Sequence, residues 1–189
     1  MIAYYFKGFS KLKDSKELLS LSVKLNFPED TPCIFRKDTG KTVLKNGNIE
    51  NYFVSVSHSK DLWCCVFHNE PVGIDFEMKT PVNYGRISEK FFTEKEKFRV
   101  KKEGLSCFLE LWMKKEAAGK LLEIPLFTAL RTIDIEKIRY RELKLPTGDK
   151  GFIATLNPEG SMEIHNLQIK FWQTKVLRQD YSRRKDVSH

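Results

Sequence analysis

The feature that most restricts how this chain can fold is a change of hydrophobic period after Met78. Upstream, three strand-like runs follow one another at residues 52–57, 62–68 and 72–76. The last two are separated only by Asn69-Glu70-Pro71, which predicts a short hairpin connection. Downstream, Thr93-Glu-Lys-Glu96 has the form of a capping box, in which the Thr93 hydroxyl accepts a first-turn N–H and Glu96 reaches back. A helix is predicted from there to Lys102, and Gly104 interrupts it. Residues 105–122 give the clearest helical pattern, with Leu105, Phe108, Leu111 and Trp112 on one face. Beyond Pro125 the pattern returns to strands, at 132–138, 152–156 and 167–172. The start of the chain predicts a strand at 1–6, a helix at 13–25, and short strands at 33–36 and 41–44 around the Asp38-Thr-Gly40 turn. Strands and helices mixed in this order define an α+β chain.

A length of 189 residues suits one ordinary domain or two small halves sharing a core. With 41% hydrophobic and 31% charged residues, collagen-like, low-complexity and disordered readings are excluded. No apolar run approaches the roughly 20 residues that span a bilayer. The first seven residues lack a basic n-region and a cleavage site, so a soluble, cytoplasmic protein without a signal peptide is expected. Cys33, Cys64, Cys65 and Cys107 lack zinc-site spacing and read as plain buried thiols. Lys and Arg number 33 against 25 Asp and Glu, a net charge of +8 that favours polyanionic partners. The densest basic patches are 94–102 and 175–186, each either a solvated face or a binding surface.

Three clusters can carry chemistry. In Gly73-Ile-Asp75-Phe-Glu77, residues two apart on a strand share a face, so Asp75 and Glu77 present paired carboxylates. Such a pair is unfavourable without a cation between the acids, and hard oxygen ligands suit Mg²⁺; a solvated strand end is the plainer reading. In the 112–120 helix, Trp112, Glu116 and Lys120 fall on one stripe, and Glu116 and Lys120 can pair. Ala117, Ala118 and Gly119 beside them let another backbone or a ligand approach closely. In Val56-Ser57-His58-Ser59, hydroxyls and a histidine at a strand end can bind a phosphate, or the histidine is merely structural.

Taken in order, Gly40-Lys41, Ser57-His58-Ser59, Gly73-Ile-Asp75-Phe-Glu77, Phe91-Phe-Thr-Glu-Lys-Glu96 and Trp112-Met-Lys-Lys-Glu116-Ala-Ala-Gly-Lys120 resemble the 4′-phosphopantetheinyl transferases of the larger, surfactin-synthetase type. The resemblance implies transfer of the phosphopantetheine arm of coenzyme A to a carrier-protein serine, releasing 3′,5′-ADP. It implies Asp75, Glu77 and Glu116 as Mg²⁺ ligands, with water an alternative to Glu77. Glu116 would be the base, with Asp75 and Lys120 also catalytic. Lys120 would contact coenzyme A phosphate, His58 the nucleotide 3′-phosphate, and Gly40-Lys41 the adenine and ribose. Ser57 and Lys115 are expected to line the same cofactor, and Arg36 and Lys37 are candidates for the remaining 3′-phosphate contacts. The implied fold is a pseudo-dimer of two similar halves, 1–71 and 72–189, each an antiparallel sheet packed on helix, with coenzyme A in the cleft between them.

The chain departs from the family in having Thr42 where a proline usually follows Gly-Lys, and lysines (Lys11, Lys13, Lys16) rather than an arginine set on its early helix. At the far end, Tyr181-Ser-Arg-Arg-Lys-Asp stands where a further apolar strand is expected. The expected partner is an acidic acyl or peptidyl carrier protein, docking near Lys95, Lys97, Arg99, Lys101 and Lys102. The chain is expected to be a monomer, with no membrane and no nucleic acid as partner. The rival readings are a Mg²⁺-dependent nuclease and a basic nucleic-acid-binding protein.

Overall fold

Residues 62–67 contain no charged or hydroxyl side chain, and an uninterrupted apolar run of that length predicts a strand covered on both faces. The computed structural model describes residues 1–12, 14–46, 49–78, 83–168, 170 and 171, and in it every residue from Leu62 to Phe67 is buried. The first half of the chain runs β1 (Ile2–Lys7), α1 (Phe9–Leu12), α2 (Ser15–Asn26), β2 (Cys33–Arg36), β3 (Thr42–Asn46), β4 (Ile49–Ser59), β5 (Leu62–His68) and β6 (Val72–Phe76). The second runs α3 (Tyr84–Phe91), α4 (Glu94–Glu103), α5 (Leu105–Leu122), α6 (Leu126–Thr132), a 3₁₀ turn at Ile135–Lys137, β7 (Arg139–Lys144), β8 (Lys150–Thr155) and β9 (Glu163–Asn166).

Two sheets result. The first has the order β2-β3-β4-β5-β1-β9, antiparallel except for β9, which lies parallel to β1. The second is antiparallel, in the order β6-β8-β7. Period two sorts β5 between two cores. Leu62, Cys64 and Val66 join Ile74 of the second sheet and Phe108 and Leu111 of α5. Trp63, Cys65 and Phe67 join Leu18 and Val23 of α2, with Leu167 and Phe171. The capping box at the start of α4 is present, Thr93 and Glu96 each satisfying the other's backbone N–H.

Several expectations need correction. Asn69-Glu70-Pro71 is not a hairpin: β5 and β6 belong to different sheets, and this connection carries the chain from one to the other. Residues 132–138 are not a strand. They hold the end of α6 and the 3₁₀ turn, in which the Asp134 carboxylate accepts from the Glu136 N–H, and the strand begins only at Arg139. The last described strand lies upstream of 167–172; the Phe171 N–H donates to the Leu167 carbonyl in a helical turn, started by Asn166 Oδ1 accepting from the Gln168 N–H. Trp172, Lys13 and the 175–186 stretch, with Tyr181, lie outside the described residues. Cys33 is exposed on β2, whereas Cys64, Cys65 and Cys107 are buried. Helix α3, strand β7 and the short α1 were not anticipated. Strand β9 lies beyond the expected 71/72 boundary, yet completes the first sheet.

Candidate active site

The site begins where β6 meets α5. Gly73 has no side chain because there is no space for one: a Cβ there would stand 1.9 Å from the Ala117 carbonyl oxygen. Ala117 and Ala118 are fully buried, and a Cβ on Gly119 would meet the Ala129 side chain of α6 at 2.9 Å. The small residues of α5 therefore admit backbone and a neighbouring helix. This close approach brings Asp75, two residues beyond Gly73, to the Glu116–Lys120 stripe. Lys120 Nζ donates to Asp75 Oδ1 at 3.0 Å and to the Ile74 carbonyl at 2.9 Å, and lies 3.4 Å from Glu116 Oε1. Asp75 is buried, and burial pushes its carboxyl up to about 7; Lys120 opposes that shift and Glu116 adds to it.

Strand β4 holds the acids from the other side. The Ser55 hydroxyl accepts from the Ile74 N–H at 3.0 Å, and the Ser57 hydroxyl donates to Asp75 Oδ1 at 2.8 Å. The Ser59 hydroxyl donates to Glu77 Oε1 and accepts from the Met78 N–H at 3.3 Å. His58, between two of these serines, is on the opposite face and exposed, its ring 5.0 Å from that of Phe9.

That opposite face opens on a cleft of about 940 Å³ between the first sheet and the C-terminal end of α5. Arg36, Gly40, Lys41 and His58 line it from one side, Glu116, Gly119, Lys120 and Glu123 from the other, and Lys16 and Leu19 from α2. Gly40 has φ +87°, and its N–H closes the turn onto the Lys37 carbonyl at 2.8 Å. Arg36 Nε donates to the Gly40 carbonyl at 3.2 Å. Lys41 reaches across the cleft, Nζ donating to the carbonyls of Lys120 and Leu121 at 3.3 and 3.0 Å. These are last-turn carbonyls of α5, where a cation also meets the negative end of the helix dipole. Burial lowers the Lys41 amine below its usual value, with Glu123 opposing and Lys37 adding to the shift.

The cleft thus gathers Arg36, Lys41, His58, Glu116 and Lys120. It does not gather Lys115, which is fully buried on another face of α5, 2.9 Å from Glu96 Oε1 and donating to the carbonyls of Leu130 and Ile133. Ser57 faces Asp75 rather than the cleft. Among the described residues no three His, Cys, Asp or Glu side chains cluster closely enough to hold a metal ion. Asp75 and Glu116 nevertheless converge on one cation, the Lys120 ammonium, with Glu77 turned to Ser59. Two carboxylates that share one cation fit Mg²⁺, which usually takes one or two from a protein and keeps several waters. The basic residues of α4 are largely occupied: Lys95 pairs with Glu136, Lys97 with Glu94, Lys101 with Glu89 and Arg99 with Glu103. Sequence reasoning missed Ser55 and Glu123, and it read Ser59 as a phosphate contact rather than as the partner of Glu77. The alternation of serines at 55, 57 and 59 along β4 was the available signal for Ser55.

A family model described as the 4′-phosphopantetheinyl transferase superfamily matches residues 71–176. That match spans more than half of the chain and includes Gly73, Asp75, Glu116 and Lys120. The chain belongs to this superfamily. A curated relative, the 4′-phosphopantetheinyl transferase gsp of Aneurinibacillus migulanus, is 26% identical over 139 residues. The alignment covers 71% of this chain and 56% of the relative, so the chain matches little more than half of that protein's length. The nuclease and nucleic-acid-binding alternatives find no support in these matches. Among the described residues no helix is long and apolar enough to cross a membrane.

Proposed function

We propose that this chain transfers the 4′-phosphopantetheine arm of coenzyme A to a serine hydroxyl of an apo acyl or peptidyl carrier protein, releasing 3′,5′-ADP. The observation that carries this reading is the convergence of Asp75 and Glu116 on one ammonium beside a cleft lined with Arg36, Lys41 and His58. In the reaction, the serine oxygen forms a bond to the β-phosphorus of coenzyme A and the pyrophosphate P–O bond breaks. Glu116, on the cleft wall, accepts the serine proton. Lys120 supplies fixed positive charge near the transferred group, Arg36 and His58 hold the nucleotide 3′-phosphate, and Gly40-Lys41 lies against the adenine and ribose. Mg²⁺ held by Asp75 and Glu116, with Glu77 or water, would neutralise charge on the pyrophosphate.

The two sheets are read as the cores of two related halves, 1–71 and 72–189, with β9 of the second half added to the edge of the first sheet and coenzyme A in the cleft between them. The enzyme is read as a cytoplasmic monomer, and an acidic carrier would complement its +8 charge. The test is direct. The chain is incubated with coenzyme A, Mg²⁺ and an apo carrier protein, and the carrier's mass is measured. Gain of one phosphopantetheine arm, lost on omitting Mg²⁺, supports the reading; an unmodified carrier across acyl and peptidyl types refutes it.

A further inference from the structure

The serines of β4 stand at alternate positions in a strand whose other face carries Val54, Val56 and His58. Strands favour β-branched residues, and buried hydroxyls need partners. Ser55, Ser57 and Ser59 are all buried, and all three find their partners on or just beyond β6. The partners differ in kind. Ser55 serves the backbone N–H of Ile74, whereas Ser57 and Ser59 each donate to one carboxylate, those of Asp75 and Glu77. The spacing matches, two residues apart on β4 against two apart on β6, so each acid has a hydroxyl of its own. Ser57 and Lys120 both bind Oδ1 of Asp75.

We infer that Ser57 and Ser59 are positioning residues that fix the orientation of the Asp75 and Glu77 carboxylates toward a divalent cation. Ser55 ties the same two strands together without touching that site. The inference rests on the metal role proposed for these acids. It departs from the expected role of Ser57 as a cofactor contact, because its hydroxyl is directed away from the cleft that His58 faces. Strand β4 thereby divides its work: Ser57 and Ser59 serve the acids, and His58 lines the cleft.

The experiment titrates Mn²⁺ into the metal-free full chain by calorimetry and measures kcat and KM for coenzyme A. Ser57→Ala and Ser59→Ala should each weaken Mn²⁺ binding about ten- to a hundredfold, the usual effect of removing a group that orients a ligand. Both should lower kcat while KM for coenzyme A stays within about twofold, a smaller change than the tenfold that 1.4 kcal/mol represents. Ser57→Thr, which keeps the hydroxyl, should restore Mn²⁺ affinity. Ser55→Ala should lower the melting temperature and leave Mn²⁺ affinity unchanged, and His58→Ala should raise KM for coenzyme A alone. A Ser57→Ala chain with normal Mn²⁺ affinity and a raised KM would overturn the inference and return Ser57 to the cofactor. Equal Mn²⁺ losses in Ser55→Ala would overturn it by making the serines merely structural. Should Ser57→Ala not fold, Ser59→Ala at the less buried pair decides. A wild-type chain that binds no Mn²⁺ would remove the metal reading itself, whereas normal wild-type binding with unaffected serine variants removes only this inference.

Discussion

Gly73 and Ala117 define the closest approach between β6 and α5: a Cβ on the glycine would lie 1.9 Å from the alanine's carbonyl oxygen and 2.6 Å from the Leu121 amide nitrogen. Both atoms are backbone, so no rotamer change relieves the clash. The same approach lets Asp75 and Glu116 share Lys120. Helix and strand spacing is thus set by a residue that does no chemistry.

Gly73→Ala is therefore expected to destabilise the chain by about 3 kcal/mol or more, at the upper end of overpacking costs. Transferase activity of the folded fraction should fall as well, because α5 must move away from β6. Urea unfolding followed by circular dichroism measures the first effect. A loss below about 1 kcal/mol, smaller than ordinary overpacking costs, would mean that strand and helix are not this close.

The raised Asp75 carboxyl gives the metal-free chain a pH signature. Its ordinary value is 3.8, and burial lifts it to about 7 in the folded state, with Glu116 adding to the shift. Between these values the folded chain holds a proton that the unfolded chain has lost. Stability must then fall as pH rises through that window. Melting temperatures measured in a chelator from pH 4 to 8 should decline, and Asp75→Asn should flatten that decline. A wild-type stability that rises over the same range would contradict the burial argument.

The parts of the fold legible in the sequence were those where one physical requirement dominated. The apolar run at 62–67 needed cover on both faces, and the Thr93–Glu96 box fixed the start of α4. The helical stripe of Glu116 and Lys120 is likewise local geometry. What stayed hidden depended on tertiary partners. Ile133 and Ile135 alternate with Asp134 and Glu136 like a strand, but Asp134 captures the Glu136 N–H and turns the chain instead. Helix α3 had a readable signal, with Asn83 as cap and Tyr84, Ile87 and Phe91 at helical spacing, but it is short and polar. Lys115 looked equivalent to its neighbours Lys114 and Glu116. Only the packing of α4 and α6 around α5 shows that it points inward.

Thiol labelling tests the corrected burial of the cysteines. Cys33 is exposed, while Cys64, Cys65 and Cys107 are buried. Burial pushes the Cys65 thiol up to about 12 and raises Cys64 and Cys107 too, which starves them of reactive thiolate. A maleimide at pH 7.5, roughly one unit below an ordinary thiol's value, should modify one cysteine quickly in the native chain and the other three only after denaturation. Cys33→Ser should abolish the fast phase. Fast native labelling of two or more sites would show that the core opens more readily than the structure implies.

Lys115 and Glu116 are adjacent on α5 but should fail in different ways. The Lys115 ammonium is fully buried against Glu96 and two carbonyls, so Lys115→Ala leaves a buried carboxylate and bare acceptors behind. Breaking one side of a buried pair costs about 3–5 kcal/mol, a large share of a domain's total stability. Glu116 is partly exposed on the cleft wall, and its pairing with Lys120 at 3.4 Å contributes at most about 1 kcal/mol. Glu116→Gln should therefore keep nearly all of the stability while transfer to the carrier falls by about 100-fold or more, the lower range for loss of a general base. Paired measurements separate the two, urea midpoints for stability and carrier mass gain for activity. A Lys115→Ala chain with unchanged stability but weakened coenzyme A binding would move that lysine back to the cofactor. A Glu116→Gln chain with full activity would remove the glutamate from the reaction.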